Sequence, residues 1–299
     1  MLNLWNPEHV SLAIGLITAC LLGLIHGITP DEHTWPITFS YSIGSYSSKG
    51  GMLAGFFFSL GFTLQRAIGS ELSYFALTGF LMHVFVENIV YIIVGLVMAC
   101  SGWYILMRGH SIHLIPWVDK WVPHLPHDRN VDAPVPLRLA FVHGVIAGWG
   151  TGAFATILYT VIAPTMPSPW LGFVPGVLFG MGTLLMQVAI GATFGWWLQR
   201  RQISSEGKAF IGRYVSGNTL LYGGSLFVVA GSLALIAPSL AEWSINTGVH
   251  VHNLDAINLG LVLVVAVVGG VGGVSMWRAM QIVTKGRHVT REYTGKHVG

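Results

Sequence analysis

The sequence predicts an all-α polytopic membrane protein made of two inverted three-helix repeats and one additional C-terminal transmembrane helix. Hydrophobic residues make up 53% of the 299 residues, and charged residues only 9%. Soluble domains carry roughly 25% charged residues, so this chain has too little charge to cover a water-facing surface. The mean hydropathy of +0.65 and the 38 glycines agree, because small residues let membrane helices approach closely.

Seven apolar stretches are long enough to cross a bilayer, which requires about 20 residues. They are 10–28, 52–81, 84–107, 138–163, 170–198, 219–238 and 257–282. Two of them are longer than a crossing requires, which predicts tilts, kinks or breaks. The apolar piece 35–46 is too short to span and is interpreted as a re-entrant or interfacial segment.

The basic residues predict the orientation in the membrane. Connections with Lys or Arg alternate with connections that have none, the latter being 1–9, 82–83, 164–169 and 239–256. Because basic connections stay in the cytoplasm, the N-terminus is predicted outside and the C-terminus inside, in the cell membrane. Arg66 alone departs from this pattern. The net charge of +3 is spread over several loops, so no nucleic-acid-binding surface is predicted.

Two pairs of similar strings indicate an internal duplication. The string at 23–28, with His26 and Gly27, resembles 140–145, with His143 and Gly144; the string at 65–69, beginning with Gln65, resembles 187–191, beginning with Gln187. Three spans per unit would insert the halves with opposite orientation, an arrangement typical of transporters. Chance similarity between apolar strings is the alternative.

The duplication divides the chain into four parts. The first repeat is 1–107, a histidine-containing cytoplasmic linker is 108–136, the second repeat is 137–240, and 241–299 adds a transmembrane helix and a basic cytoplasmic tail. The first helix of each repeat is expected to be broken. Gly27 and Pro30 interrupt one, and the glycines of 148–152 interrupt the other.

The strongest candidate site is the string that follows the first span, with His26, Asp31, Glu32 and His33 within eight residues. Imidazole and carboxylate ligands together suit divalent transition-metal ions. The alternative is a capping box from Thr29 to Glu32 that only starts a helix. A capping box does not account for His26 or His33.

Other polar residues lie inside predicted spans. His83 and Glu87 share a helix face and are interpreted as metal ligands, an interfacial anchor or a packing pair. Arg66 and Glu71 lie with Gln65 in the second span, where a charge must face protein or water. We expect Arg66 to pair with Glu71, Asp31 or Glu32, although it could instead bind a substrate anion. His143 is expected to lie opposite the first site.

Histidines outside the spans form two further groups. Each group is interpreted either as a loose collector of metal ions or as solvated loop histidines. The linker contains His110, His113, His124 and His127, and the loop 239–256 contains His250 and His252.

The string from His26 to His33 resembles the signature of nickel/cobalt permeases and of the related nickel/cobalt efflux proteins, both in the LysE-like superfamily. The resemblance covers residues 23–36 in motif and 10–240 in architecture, which it implies is two inverted three-helix units. It makes His26 the first signature histidine, Asp31 the acid and His33 the second histidine. Glu32 departs from the permease pattern, which has Asp followed directly by His, and the second family motif is not evident.

Three functions follow as expectations. The leading one is a secondary transporter for a divalent transition-metal ion such as nickel or cobalt, with the ion as substrate and no tightly bound cofactor. The alternative is an exporter of a small anion or amino acid that uses Arg66, Gln65 and Gln187. An intramembrane redox enzyme is disfavoured. Thiol-electron carriers of similar architecture have one cysteine in each half, whereas Cys20 and Cys100 both lie in the first half. The bilayer is the expected partner, and a homo-oligomer is compatible with the sequence.

Overall fold

The computed structural model describes residues 11–77, 84–107, 134–150, 152–239, 243–249 and 254–295, and nearly all of them are helical. The α-helices are α1 (Leu12–Ile28), α2 (Trp35–Gly44), α3 (Ser48–Tyr74), α4 (Val84–Met107), α5 (Leu137–Ala147), α6 (Ala153–Ile157), α7 (Val174–Gln199), α8 (Ser205–Ile236), α9 (Leu259–Val264) and α10 (Gly273–Gly295). A π-helical turn, Leu158–Ile162, and a 3-10 turn, Ala163–Thr165, continue α6. A 3-10 turn, Pro169–Leu171, precedes α7, and a π-helical stretch, Val265–Gly272, joins α9 to α10.

Within the described residues, five helices are long and apolar enough to cross a membrane. They are Ser48–Tyr74, Phe85–Met107, Pro169–Gln199, Ser205–Ile236 and Leu259–Thr284. Shorter apolar helices are Leu12–Ile28, Leu137–Ala147 and Ala153–Thr165. The prediction of a helical, membrane-embedded protein is therefore confirmed. The predicted linker 108–136 lies outside the described residues except for 134–136.

The first interruption separates α1 from α2. The backbone N–H of Thr29 bonds to Ile25 O and ends α1, and Pro30 follows where the helix would otherwise continue. The ten residues of α2 are too few to span a bilayer, and Pro36–Gly44 are all buried. The segment is therefore internal to the protein, and its interpretation as re-entrant or interfacial stays a prediction.

The interruption predicted at the glycines of 148–152, inside the apolar stretch 138–163, is confirmed. The structure has two helices there, α5 and α6, separated by 148–152. Gly148 closes the last turn of α5 through its N–H to Gly144 O, and Gly150 continues as a turn with its N–H bonded to Ala147 O. Mean hydropathy conceals this break, because glycine is compatible with lipid but disfavours a helix.

Other boundaries also differ from the prediction. Helix α8 begins at Ser205 rather than at 219, because Ser204 caps it by accepting a bond from Gly207 N–H. The last helix continues to Gly295 rather than ending at 282. A short antiparallel pair joins Ser244–Asn246, in the predicted connection 239–256, with Ala256–Asn258, at the start of the predicted last span.

The helices of residues 1–107 pack mainly on the helices of residues 137–240. The central contact is α3 with α7, and α4 packs on α8. Each interrupted helix then packs on the central helix of the other half, α1 on α7 and α5 on α3. Glycines make these approaches possible, since a Cβ on Gly23 would overlap the backbone of Phe179, and one on Gly144 would overlap that of Phe58. Both interruptions therefore lie against the α3–α7 pair.

The C-terminal helix packs along the same core. Gly260, near the start of α9, and Gly272, at the end of the π-helical stretch, both lie against the first half. A Cβ on Gly272 would lie 2.8 Å from the ring of Phe39 in α2. The additional helix is thus in direct contact with the segment that follows the first interruption.

Candidate functional site

A group of metal-ligand side chains lies in the interruption between α1 and α2. Asp31, Glu32 and His33 each offer a ligand atom, and these atoms lie within 4.8 Å of one another. Asp31 and His33 are buried, and Glu32 is half-buried. Oδ1 of Asp31 accepts a 3.0 Å bond from the His33 backbone N–H, a local turn that is typical of aspartate and that holds the three side chains together.

The capping-box interpretation of Thr29 and Glu32 is wrong. Oγ1 of Thr29 donates backwards to Ile25 O and His26 O, at 3.0 and 3.3 Å, so the residue ends α1. Helix α2 begins after Thr34 and has no side-chain cap. Glu32 is therefore not needed for capping and directs its carboxylate elsewhere.

Helix α4 contributes two residues to the group. The Tyr91 hydroxyl donates a 2.7 Å hydrogen bond to Oε1 of Glu32, and the Tyr91 ring lies 4.9 Å from the His33 ring. Glu87, one turn earlier, interacts electrostatically with His33 and Glu32. The sequence paired Glu87 with His83, which lies outside the described residues. Tyr91 was missed, although its spacing of four from Glu87 places both on one helix face.

The additional C-terminal helix closes the group on another side. A Cβ on Gly260 would lie 2.6 Å from Oε2 of Glu32 and 2.8 Å from Oε1. The Glu32 carboxylate thus lies between Tyr91 and the backbone of α9. Nothing in the sequence near Gly260 indicates this contact, because it joins residues more than two hundred positions apart.

His26 lies beside this group without belonging to it. Its Nδ1 is 3.9 Å from Oδ2 of Asp31. Its ring packs against Phe62, Phe154 and Phe179, with centroid distances of 5.5, 6.3 and 5.3 Å. The side chain is therefore anchored by aromatic packing and faces Asp31 with one nitrogen.

His143 is not among the residues whose ligand atoms converge in the group, and its place opposite the site stays a prediction. Its Nδ1 is 3.0 Å from the Tyr41 hydroxyl and 2.8 Å from Leu139 O. The ring is buried between α5 and α2, and both of these contacts of Nδ1 are hydrogen bonds within the helix bundle. The histidines predicted to collect metal lie outside the described residues: His110, His113, His124, His127, His250 and His252.

Arg66 has no carboxylate partner within 4.0 Å in the part of the chain that the structure describes, so the expected ion pair is absent there. Its Nη1 donates to the Tyr159 hydroxyl at 3.0 Å, and its Nη2 donates to Gly150 O at 2.9 Å. Glu71 lies instead beside Gly172, whose Cβ would be 2.6 Å from its Oε2. A hydroxyl and a backbone carbonyl at the second interruption replace the expected carboxylate.

Gln65 and Gln187 each reach the interruption of the opposite half. Nε2 of Gln187 donates to Gly27 O at 2.9 Å, and its Oε1 accepts a 2.6 Å bond from Thr38. Gln65 packs on the second interruption, where a Cβ on Gly148 would lie 2.7 Å from its Oε1. Gln187 therefore stabilises the end of α1 by a hydrogen bond, whereas Gln65 packs beside the second interruption with its Oε1 unpaired among the described residues.

Comparison with family models, with curated proteins and with solved structures finds no match for the chain. The resemblance to nickel/cobalt transporters thus stays a prediction that rests on residues 23–36.

The geometry can hold a cation. Two carboxylates and an imidazole offer oxygen and nitrogen ligands within 4.8 Å of one another, a combination that suits divalent transition-metal ions. Nε2 of His33 is buried and has no hydrogen-bond partner among the described residues. Nδ1 is the ring nitrogen that faces the carboxylates, 3.5 Å from Oε1 of Glu32, so an ion bound by the group would take Nδ1 as its ligand.

Proposed function

We propose that the protein is a membrane transporter that binds one divalent transition-metal ion, such as nickel or cobalt, at Asp31, Glu32 and His33. The observation that carries the proposal is the convergence of their ligand atoms within 4.8 Å at an interruption between two buried helical segments. Discontinuous helices are where secondary transporters bind their substrates. Glu87 from α4 adds a negative charge that interacts electrostatically with His33 and Glu32.

The packing supports two inverted repeats as the frame of this transporter. Helices α1 and α5 occupy corresponding places, each against the central helix of the other half. Gln65 and Gln187, which correspond in the duplicated strings, contact the interruptions of opposite halves. Such a frame allows one half to rock against the other around a fixed site. We place it in the cell membrane with the N-terminus outside, following the basic connections.

The alternative substrate, a small anion or amino acid, has less support from the contacts. Gln187 is committed to Gly27 O and Thr38, and Gln65 packs on Gly148. Two nitrogens of Arg66 donate to Tyr159 and Gly150 O. Gln187 and the two terminal nitrogens of Arg66 therefore bind the protein itself, which leaves only Gln65 Oε1 and Arg66 Nε unpaired in this set among the described residues.

Metal binding by the purified protein tests the proposal. We expect about one Co²⁺ or Ni²⁺ per chain in equilibrium dialysis, and uptake of the ion into proteoliposomes. His33→Gln should lower the affinity at least about tenfold, because it removes an imidazole ligand. His143→Gln is the matched control, since it removes an equally buried imidazole outside the group.

Two results would contradict metal binding at this site. One is wild-type protein that binds no divalent ion in the dialysis. The other is an equal loss of affinity in the His33 and His143 variants, which would indicate that the substitutions act only on the fold.

A second test uses the contact between the C-terminal helix and the site. Gly260→Val should lower the affinity for Co²⁺ about tenfold, because the new side chain would displace the Glu32 carboxylate from its place beside Tyr91. The same titration of Gly270→Val is the control, as the nearest atom to a Cβ there is 4.0 Å away, in its own helix. Equal affinity in the two variants would show that ion binding does not depend on the contact between Gly260 and the Glu32 carboxylate.

A further inference from the structure

We propose that Gly150, in the second interruption, positions the His33 imidazole for the ion, so that the second half of the chain completes the ion site of the first. This inference rests on the proposed function, because it concerns the orientation of one ligand of that site. Gly150 is a positioning residue: its backbone contacts the ring, and the ring binds the ion.

The backbone of Gly150 lies against one edge of the His33 ring. A Cβ on Gly150 would lie 2.7 Å from Cε1 and from Nε2 of His33, and 2.9 Å from Cδ2. The other ring nitrogen, Nδ1, lies 3.5 Å from Oε1 of Glu32. Gly150 therefore contacts the edge of the ring that includes Nε2, while Nδ1 stays toward the carboxylates.

This contact explains why residue 150 is a glycine. Its backbone does not have the positive φ that favours glycine, which only Gly248 has among the glycines that the structure describes. Its N–H donates to Ala147 O, a bond that any residue except proline can make. The three atoms nearest to a Cβ at this position all belong to His33. The missing side chain therefore leaves room for the imidazole and meets no need of the backbone.

The protein around His33 and Gly150 restricts the movement of both. The His33 backbone N–H donates to Oδ1 of Asp31, and its ring lies 4.9 Å from the ring of Tyr91. Nη2 of Arg66, a buried side chain, donates to Gly150 O at 2.9 Å and anchors that backbone. The ring is the freer of the two partners, so we expect a methyl group at residue 150 to turn it and to move Nδ1 away from the carboxylates.

The contact joins the two halves of the chain at the ligand group. Gly150 belongs to residues 137–240, whereas Asp31, Glu32 and His33 belong to residues 1–107. The orientation of His33 thus depends on how the second half packs on the first. Such a dependence couples ion affinity to the relative position of the halves, which move against each other in transporters of this type.

The experiment is a double-mutant cycle of Gly150→Ala and His33→Ala, with Co²⁺ affinity measured by equilibrium dialysis of the purified proteins. Gly150→Ala should lower the affinity about tenfold, as is typical when a group that orients a metal ligand is lost. In the His33→Ala protein the same substitution should change the affinity less than about twofold, because no ring remains to be displaced.

Gly148→Ala is the matched control. It adds the same methyl group to the same interruption, but 2.7 Å from Oε1 of Gln65 instead of the His33 ring. We expect Co²⁺ affinity within about twofold of wild type from it. A loss equal to that of Gly150→Ala would show that any change in the interruption weakens binding, and it would overturn the role of Gly150.

The remaining outcomes separate this inference from the proposed function. Wild-type protein that binds no Co²⁺ contradicts the proposed function itself. If wild type binds Co²⁺, the role of Gly150 is overturned and metal binding stands in either of two cases: unchanged affinity in Gly150→Ala, or an equal loss with and without the His33 ring. If Gly150→Ala does not fold, thermal unfolding of the double variant decides. Recovery of folding by His33→Ala supports the contact, and its failure overturns the inference.

Discussion

Asp31→Asn is expected to lower the affinity for Co²⁺ by at least about 100-fold and to abolish its uptake into proteoliposomes. Asparagine keeps the side-chain oxygen that accepts the His33 N–H bond, so the turn between α1 and α2 should survive. The substitution removes the negative charge and the anionic ligand that a divalent ion requires. Equilibrium dialysis of the purified variant and a flux assay measure the two effects.

Glu71→Gln is the matched control for this experiment. It removes another carboxylate from the membrane helices, but one that lies beside Gly172 rather than in the ligand group. We expect wild-type affinity and flux from it. A comparable loss in both variants, or unchanged Co²⁺ binding by Asp31→Asn, would contradict the assignment of the site.

Gly144→Leu is expected to have the largest effect on folding. Any side chain on Gly144 would overlap the backbone of Phe58, so α5 must separate from α3 at the place where they cross. Overpacking against backbone cannot be relieved by a rotamer change, and we expect a loss of at least about 3 kcal/mol in the free energy of unfolding. Thermal unfolding in detergent and the monodisperse fraction in size-exclusion chromatography measure it.

The control is the same substitution at Gly273, where a Cβ would meet nothing within 4 Å. Gly273→Leu should leave the midpoint of thermal unfolding within a few degrees of wild type. Equal stability of the two variants would show that α5 and α3 do not need the close approach seen in the structure.

Hydropathy predicted the membrane helices better than their ends and breaks. The span 84–107 agrees with α4, because polar connections flank it on both sides. The interruption within 138–163 was predicted from its glycines and not from hydropathy, since Gly148 and Gly150 hardly change mean hydropathy but disfavour a helix. The start of α8 at Ser205 was missed because helices continue beyond the lipid, where polar residues are as acceptable as in any helix.

The site was predictable only where its residues are neighbours in the chain. Asp31 and His33 belong to one turn, so their sequence spacing fixes their proximity. Glu87 was paired with His83, which lies outside the described residues, whereas its interactions with His33 and Glu32 join parts of the chain that no local pattern connects. Tyr91 and Gly260 contribute through long-range contacts that no local pattern indicates. Arg66 was expected to need a carboxylate, but Gly150 O and a tyrosine hydroxyl accept its bonds.

The π-helical stretch Val265–Gly272 has a geometric consequence for the C-terminal helix. An α-helix turns by about 100° per residue, so the twelve steps from Gly260 to Gly272 would leave these glycines roughly 120° apart around its axis. The wider π turns advance by only roughly 80° per residue. Gly260 and Gly272 therefore lie at nearly the same angle around the helix axis. One glycine can therefore abut Glu32 while the other abuts Phe39. The wide turns therefore keep both glycines on one face of the C-terminal helix, which faces the proposed ion site and α2.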